Sequence, residues 1–328
     1  MNVAPKIEEV LNGVYRIRID VPFGVESVSI YLLDFPPLML VDSGPRMPGL
    51  FGAIQDAIRS AGFDPREIDS LLITHGHVDH HGLASRFREM GIKVMIHRED
   101  LNRLSHNSSF IKAEFFYYAE LLSSFGIPAE FTSRFSKVAK WFEGLALPCS
   151  CDRVLEGTEK IEGENLSARL IHCPGHSAGH VMLELTNLGA LITGDHLLPD
   201  ITPNPELYYP PRNSMLSGLT DYVESLKSME SIDAELAFPA HGEPFLNPGE
   251  RAREVIEHHR ERANKVLEVG RSGAKGLWEI TLELFEEEIK RGELELFLAL
   301  KEVLGHLEML KNMGRLEGFE FPSHLPVR

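Results

Sequence analysis

Four times in this chain an apolar run ends in a glycine-bearing turn that carries histidine or aspartate. Ser70-Leu71-Leu72-Ile73-Thr74 leads into His75-Gly76-His77-Val78-Asp79-His80-His81-Gly82, which packs four candidate ligands into six positions. Leu166 to Ile171 leads into His172-Cys173-Pro174-Gly175-His176-Ser177-Ala178-Gly179-His180, and Val181 to Leu185 follows it. Ala190-Leu191-Ile192-Thr193-Gly194 ends on Asp195, and Ala237-Phe238-Pro239-Ala240 ends on His241. Short apolar runs bounded by turns read as buried strands. In an α/β sandwich the strand ends at one edge lie together, so these four turns can converge.

The chemistry of the turns favours metal. His75 and His77 stand two apart and can face one side, as alternating residues do. Asp79 and His80 are adjacent and suit a second ion beside the first. Imidazole and carboxylate are ligands that zinc, iron and manganese share, so without a thiolate the donor set singles out none of them. A histidine-rich surface turn is the plain structural alternative for the first cluster, and the three further turns weigh against it.

Composition is that of a globular protein, 43% hydrophobic and 25% charged, and 328 residues suffice for one large domain and a small one. The formal charge of −16 argues against general affinity for phosphate backbones, so nucleic acid is not the expected partner. No run of apolar residues is long enough to span a membrane, and Met1 to Val10 lacks the basic start and apolar core of a signal peptide. Three cysteines, Cys149, Cys151 and Cys173, suit a reducing compartment, and the chain is expected in the cytoplasm.

Strands are expected around Gly13 to Ile19, Ser27 to Leu33 and Leu38 to Val41, with a helix over Pro48 to Ala61. Between about Arg98 and Pro148, Phe110, Phe115, Leu121, Phe125, Phe135 and Trp141 recur at helical spacing, which reads as two or three inserted helices. These would form a lid over the site, a contact in a homodimer, or simple packing on the sheet. The stretch from His196 to Pro205 is too proline-rich for a helix or central strand and is expected as a loop near Asp195. Tyr208, Tyr209 and Arg212 follow it and are candidates to bind a substrate carboxylate or oxyanion. From Asn247 the pattern turns helical over Pro248 to Gly270, Leu277 to Lys290 and Phe297 to Met309, and Gly314 to Glu320 looks like a short hairpin.

Taken together, the four turns resemble the metallo-β-lactamase fold hydrolases of glyoxalase II type, whose pattern is His-x-His-x-Asp-His, Pro-Gly-His-Ser/Thr-x-Gly-His, Thr-Gly-Asp and Ala-His-Gly. The resemblance covers about residues 12 to 245 and implies a four-layer αββα sandwich. It implies that His75, His77 and His176 hold one divalent ion, that Asp79, His80 and His241 hold a second, and that Asp195 bridges them. Zinc is the first expectation, with iron or manganese as alternatives. Asp79 and Asp195 then take catalytic roles, Asp195 by joining the two ions and Asp79 by orienting a bridging hydroxide. In the same pattern Asp42 of Val41-Asp42-Ser43-Gly44 stands behind the ligands, and His180 is structural.

The C-terminal helices and hairpin are similar to the winged-helix domain of the beta-lactamase-like protein 2 group. The expected division is therefore a catalytic domain over 1–246, carrying the insertion at about 98–148, and a winged-helix-like domain over 247–328. Residues 251 to 328 hold 13 Lys and Arg against 15 Asp and Glu, a balance that favours a structural or dimerising role over nucleic-acid binding. The function implied is a metal-dependent hydrolase of a small ester, thioester or lactone. Two alternatives follow from the same family, an endoribonuclease acting on single-stranded RNA and a one-iron persulfide oxygenase or non-catalytic metal-binding module.

Overall fold

A computed structural model describes residues 5–322 except 24, 163, 165, 166, 213, 274, 275, 317, 318 and 320. Seven strands form a first sheet in chain order: β1 (Lys6–Leu11), β2 (Val14–Phe23), β3 (Val25–Leu33), β4 (Leu38–Val41), β5 (Ile68–Leu72), β6 (Lys93–His97) and β7 (Arg153–Leu155). The early strands pair antiparallel as a meander, and β4 to β7 run parallel. Such parallel strands need crossovers, which are supplied by helices. They are α1 (Leu50–Ser60), the one-turn α2 (Val78–His81), α3 (Ala84–Glu89), and the inserted α4 (Leu101–Ser124), α5 (Ala129–Thr132) and α6 (Phe135–Glu143).

The second sheet contains β8 (Glu159–Glu162), β9 (Ser167–His172), β10 (Val181–Leu185) and β11 (Ala190–Gly194). A ribbon of β12 (Leu207–Arg212) and β13 (Met215–Ser217) and helix α7 (Leu219–Ser228) intervene before β14 (Leu236–Pro239) and β15 (Phe245–Leu246) complete it, with β14 parallel to β11. The chain then enters α8 (Pro248–Ser272), α9 (Leu277–Leu284), α10 (Glu286–Ile289) and α11 (Glu293–Asn312).

Strand alternation builds the layers. Leu71 faces α1 and α3 alongside Ile54 and Phe87, whereas Leu72 faces the other sheet alongside Leu183 and Ile192. On the second sheet Val181 and Leu183 point inward, and Met182 and Leu191 point out onto Tyr222 of α7 and Val255 of α8. Helices, sheet, sheet, helices is the expected αββα sandwich.

A separate helical core lies beside it. Phe115 and Tyr118 of α4 and Phe135 of α6 pack on Phe297 of α11 with tilted or edge-on rings, among Leu277, Leu300 and Leu304. The insertion and the C-terminal helices therefore share one apolar interior. The expected wing over 314–320 falls partly outside the described residues, and Gly314, Arg315, Leu316 and Phe319 carry no strand. Leu300, Val303, Leu304, Leu307 and Leu310 of α11 are all buried, so this helix does not present a free recognition face of the winged-helix kind.

Candidate metal centre

Every predicted ligand leaves a strand at the same edge of the sandwich. His75 and His77 follow β5, Asp79 and His80 stand on α2, His176 is in the turn between β9 and β10, Asp195 follows β11, and His241 follows β14. The turns need glycine for two reasons. Gly175 has φ +135°, and a β-carbon on it would lie 2.3 Å from Tyr222 Cβ. A β-carbon on Gly82 would lie 2.4 Å from the Leu145 carbonyl oxygen and 2.5 Å from Arg46 N.

The donor atoms form two groups, His75, His77, His176 with Asp195, and Asp79, His80 with His241, each spread over no more than 4.8 Å. In the first, His77 Nδ1 is 2.9 Å from His75 Nε2 and 3.0 Å from His176 Nε2, and His176 Nε2 is 3.3 Å from Asp195 Oδ2. In the second, His241 Nε2 is 3.4 Å from Asp79 Oδ2 and His80 Nε2 is 3.7 Å from the same oxygen. Asp195 belongs to both, since Oδ2 is also 3.5 Å from His80 Nε2 and Oδ1 is 3.4 Å from His241 Nε2. Ligand atoms bonded at about 2.0–2.1 Å in a tetrahedron stand about 3.3 Å apart. His80 Nε2 and Asp195 Oδ1 are buried and, among the described residues, have no hydrogen-bond partner. The residues present thus fit a pair of divalent cations.

Electrostatics agree. Burial, then the surrounding imidazoles, push His75 well below its usual pKa, and burial followed by His176 does the same to His77. Both are therefore neutral, the form a cation requires. Burial works against charge on His80 and His241 too, yet the carboxylates of Asp195 and Asp79 outweigh it and raise His241 to about 10. Burial likewise opposes ionisation of Asp195, and His241 and His80 override it, holding the carboxyl well below its usual range. The two carboxylates demand positive charge, which protons or metal cations can provide.

Further groups hold the ligands from behind. Asp42, at φ 63° after β4, accepts from Thr74 N (2.8 Å) and Thr74 Oγ1 (2.8 Å) and lies 2.8 Å from His80 Nδ1. His241 Nδ1 donates to the Ser27 carbonyl at 2.8 Å. Asp100 joins two ligand turns, accepting from Gly76 N (2.7 Å), Ser177 Oγ (2.6 Å) and Gly179 N (3.1 Å). His77 Nε2 is 3.5 Å from Glu206 Oε1, and Glu206 is paired in turn with Arg103. Sequence reading missed Asp100, Arg103 and Glu206, which no ligand motif marks.

His180 accepts from Asp195 N at Nε2 (3.1 Å), which leaves its proton on Nδ1, 3.1 Å from Cys173 Sγ. A cation shared by Cys173, His180 and His196 would need the Nδ1 lone pair as well, so this neighbouring trio reads as packing.

A cavity of about 360 Å³ opens onto His77, Asp79, His176, Asp195 and His241. The insertion supplies Ile111, Phe115, Trp141 and Phe142 to its wall, the proline-rich loop supplies Leu198 and Ile201 to Asn204, and α11 supplies Phe297, Leu298 and Lys301. Tyr208, Tyr209 and Arg212 stand apart from it. Tyr208 donates to Asp221 Oδ2 at 2.7 Å, Arg212 Nη1 is 3.4 Å from the same oxygen, and Tyr209 packs on Phe110 and Tyr117. The chain is still beside the metal edge at Glu206, and in β12 the Tyr208 side chain is buried against Asp221 rather than in the cavity.

The family model for the metallo-beta-lactamase superfamily matches residues 24–241, more than half of the chain. The chain belongs to this superfamily. It is 28% identical over 306 residues to the probable metallo-hydrolase YqjP of Bacillus subtilis, covering 91% of this chain and 92% of that one. It is 25% identical over 253 residues to a beta-lactamase-like protein 2 homolog of Caenorhabditis elegans, 76% of this chain and 67% of the relative. Among solved structures, a metallo-beta-lactamase family protein from Thermus thermophilus superposes with a TM-score of 0.77 at 28% identity, covering 93% of this chain and 95% of that one. Superfamily membership, with these ligand groups, makes the chain a candidate metallo-hydrolase. Among the described residues no helix is long and apolar enough to cross a membrane.

Proposed function

We propose that this protein is a dinuclear metal-dependent hydrolase of a small ester, thioester or lactone. The observation that carries the reading is Asp195, whose two oxygens face both ligand groups at the floor of a largely apolar cavity. His75, His77, His176 and Asp195 would hold one cation, and Asp79, His80, His241 and Asp195 the other. Zinc suits this nitrogen and oxygen set, with iron and manganese as the other candidates. Two divalent cations bound there supply a water of lowered pKa and charge to offset a developing oxyanion.

The chain's own residues supply the rest. Asp42, Asp100 and the Ser27 carbonyl fix the imidazoles and the turns that bear them. Phe115, Phe142 and Phe297 limit water around a carbonyl group, which strengthens every charge interaction at the cavity floor. A cavity of about 360 Å³ suits a small ligand rather than a polymer. The buried face of α11 likewise offers no surface to RNA.

Elemental analysis of the purified protein should return two metal equivalents per chain. Turnover of a panel of 4-nitrophenyl esters, thioesters and lactones should vanish with chelator and in His77→Ala. Single-stranded RNA cleaved in a metal-dependent way while every carbonyl substrate stays intact would overturn the reading.

A further inference from the structure

The cavity contains two buried cations with different surroundings. Arg103 is paired with Glu114 and Glu206, whose carboxylates are directed at it. Lys301 of α11 is only 8% exposed and, among the described residues, its ammonium has no hydrogen bond and no ion pair. Its Nζ lies over the Phe297 ring, 5.6 Å from the centroid. Burial, the largest influence on it, lowers its pKa.

A lysine kept only to balance Glu114 and Glu206 would sit on one of their oxygens. Those oxygens are instead taken by Arg103, by Tyr118, which donates to Glu114, and by the edge of His77 beside Glu206. The charges of Glu206 and Glu114 reach Lys301 without a direct pair, so its ammonium, which lines the cavity, is left available to an arriving anion. The rest of the wall, with Ile111, Phe115, Phe142 and Leu298, is apolar.

We propose that Lys301 is the anion-recognition residue of this cavity, and that the substrate is an amphiphilic ester or thioester with an apolar body and one anionic group away from the scissile carbonyl. The proposal rests on the hydrolytic reading above for the reaction, and on the cavity alone for the binding. Lysine acts here as a point charge, so carboxylate and phosphate are both served.

Dye binding tests the recognition without any turnover. The metal-loaded protein should bind the anionic dye 8-anilinonaphthalene-1-sulfonate more tightly than the neutral N-phenyl-1-naphthylamine. Lys301→Met should weaken the anionic dye by about tenfold or more, the loss of one charged hydrogen bond, and leave the neutral dye unchanged. Lys301→Arg should retain the preference. A matched pair of 4-nitrophenyl esters, of hexanoic acid and of adipic acid with its far carboxylate free, then reads the same effect as a KM difference between the two esters that disappears in Lys301→Met. Equal affinity of both dyes in the unaltered protein, or an unchanged preference in Lys301→Met, overturns the proposal. Dye preference that follows Lys301 while the whole panel of esters, thioesters and lactones stays intact supports the anion site and refutes the hydrolytic reading.

Discussion

Asp100 Oδ2 receives the Ser177 hydroxyl at 2.6 Å and the Gly76 amide at 2.7 Å, so one carboxylate ties the turn bearing His75 and His77 to the turn bearing His176. Asp100→Asn keeps the shape but offers one acceptor oxygen where two are used. Each charged hydrogen bond weakened costs about 1.5–3 kcal/mol, and disturbed ligand support typically costs about 10–100-fold in metal affinity. Thermal unfolding of the metal-free and metal-loaded variant, with competitive zinc titration, should register both losses. A variant with unaltered zinc affinity would show that the two turns are held independently.

Asp42 offers a cleaner separation of charge from shape. Its φ of 63° is a conformation that asparagine tolerates well, so Asp42→Asn should fold normally. Without the charge, His80 Nδ1 loses its carboxylate partner at 2.8 Å. Metal affinity should fall by about 10–100-fold, and the metal-free protein should also melt lower, because both Asp42 oxygens accept hydrogen bonds. Direct titration with zinc measures the first and calorimetry the second.

Gly82 closes the histidine-rich motif for reasons of space. A methyl group there meets the Leu145 carbonyl and the Arg46 amide, both backbone. Gly82→Ala should destabilise the fold by about 1–3 kcal/mol, the usual range for overpacking. Denaturant unfolding would reveal it, and a neutral result would mean that the segment before β7 yields easily.

Acid should loosen the helical core. His306 Nδ1 donates to the Glu302 carbonyl at 2.7 Å, and its Nε2 is 3.3 Å from His259 Nδ1. Burial pushes His306 down to about 4, and burial followed by His306 pushes His259 well down too. The unfolded chain, with an ordinary pKa near 6.5, binds protons that the folded chain refuses. Stability from His306 is therefore complete above pH 6.5 and is lost as pH falls toward 4, on the order of 3 kcal/mol at most. His306→Gln should flatten the dependence of urea-unfolding free energy between pH 7 and 5, and an unchanged slope would place the sensitive group elsewhere.

The clustering of the candidate ligands and the sandwich were legible because each depends on a local rule, an apolar strand ending in a glycine turn. The boundaries of β10 and the start of α8 follow from the same periodicity. Asp100, Glu206 and Lys301 were not legible, since each serves the site through residues distant in sequence and no spacing marks it. Tyr208 and Arg212 failed as cavity residues for a related reason. Glu206, two positions before Tyr208, still lines the cavity, but Asp221 captures the Tyr208 and Arg212 side chains. The C-terminal helices were visible as amphipathic stripes, but their packing against Phe115 and Phe135 of the insertion required the three-dimensional fold.

That shared interior sets an order of assembly. A growing chain that has reached residue 246 already contains each metal-ligand candidate, whereas Phe115 and Phe135 still lack Phe297 to cover them. The candidate ligands and the chamber wall are thus drawn from different lengths of chain, the wall being complete only with α11. A chain of that length would leave Phe115 and Phe135 without their α11 cover beside the candidate ligands, and the last helix would close the aromatic wall over them.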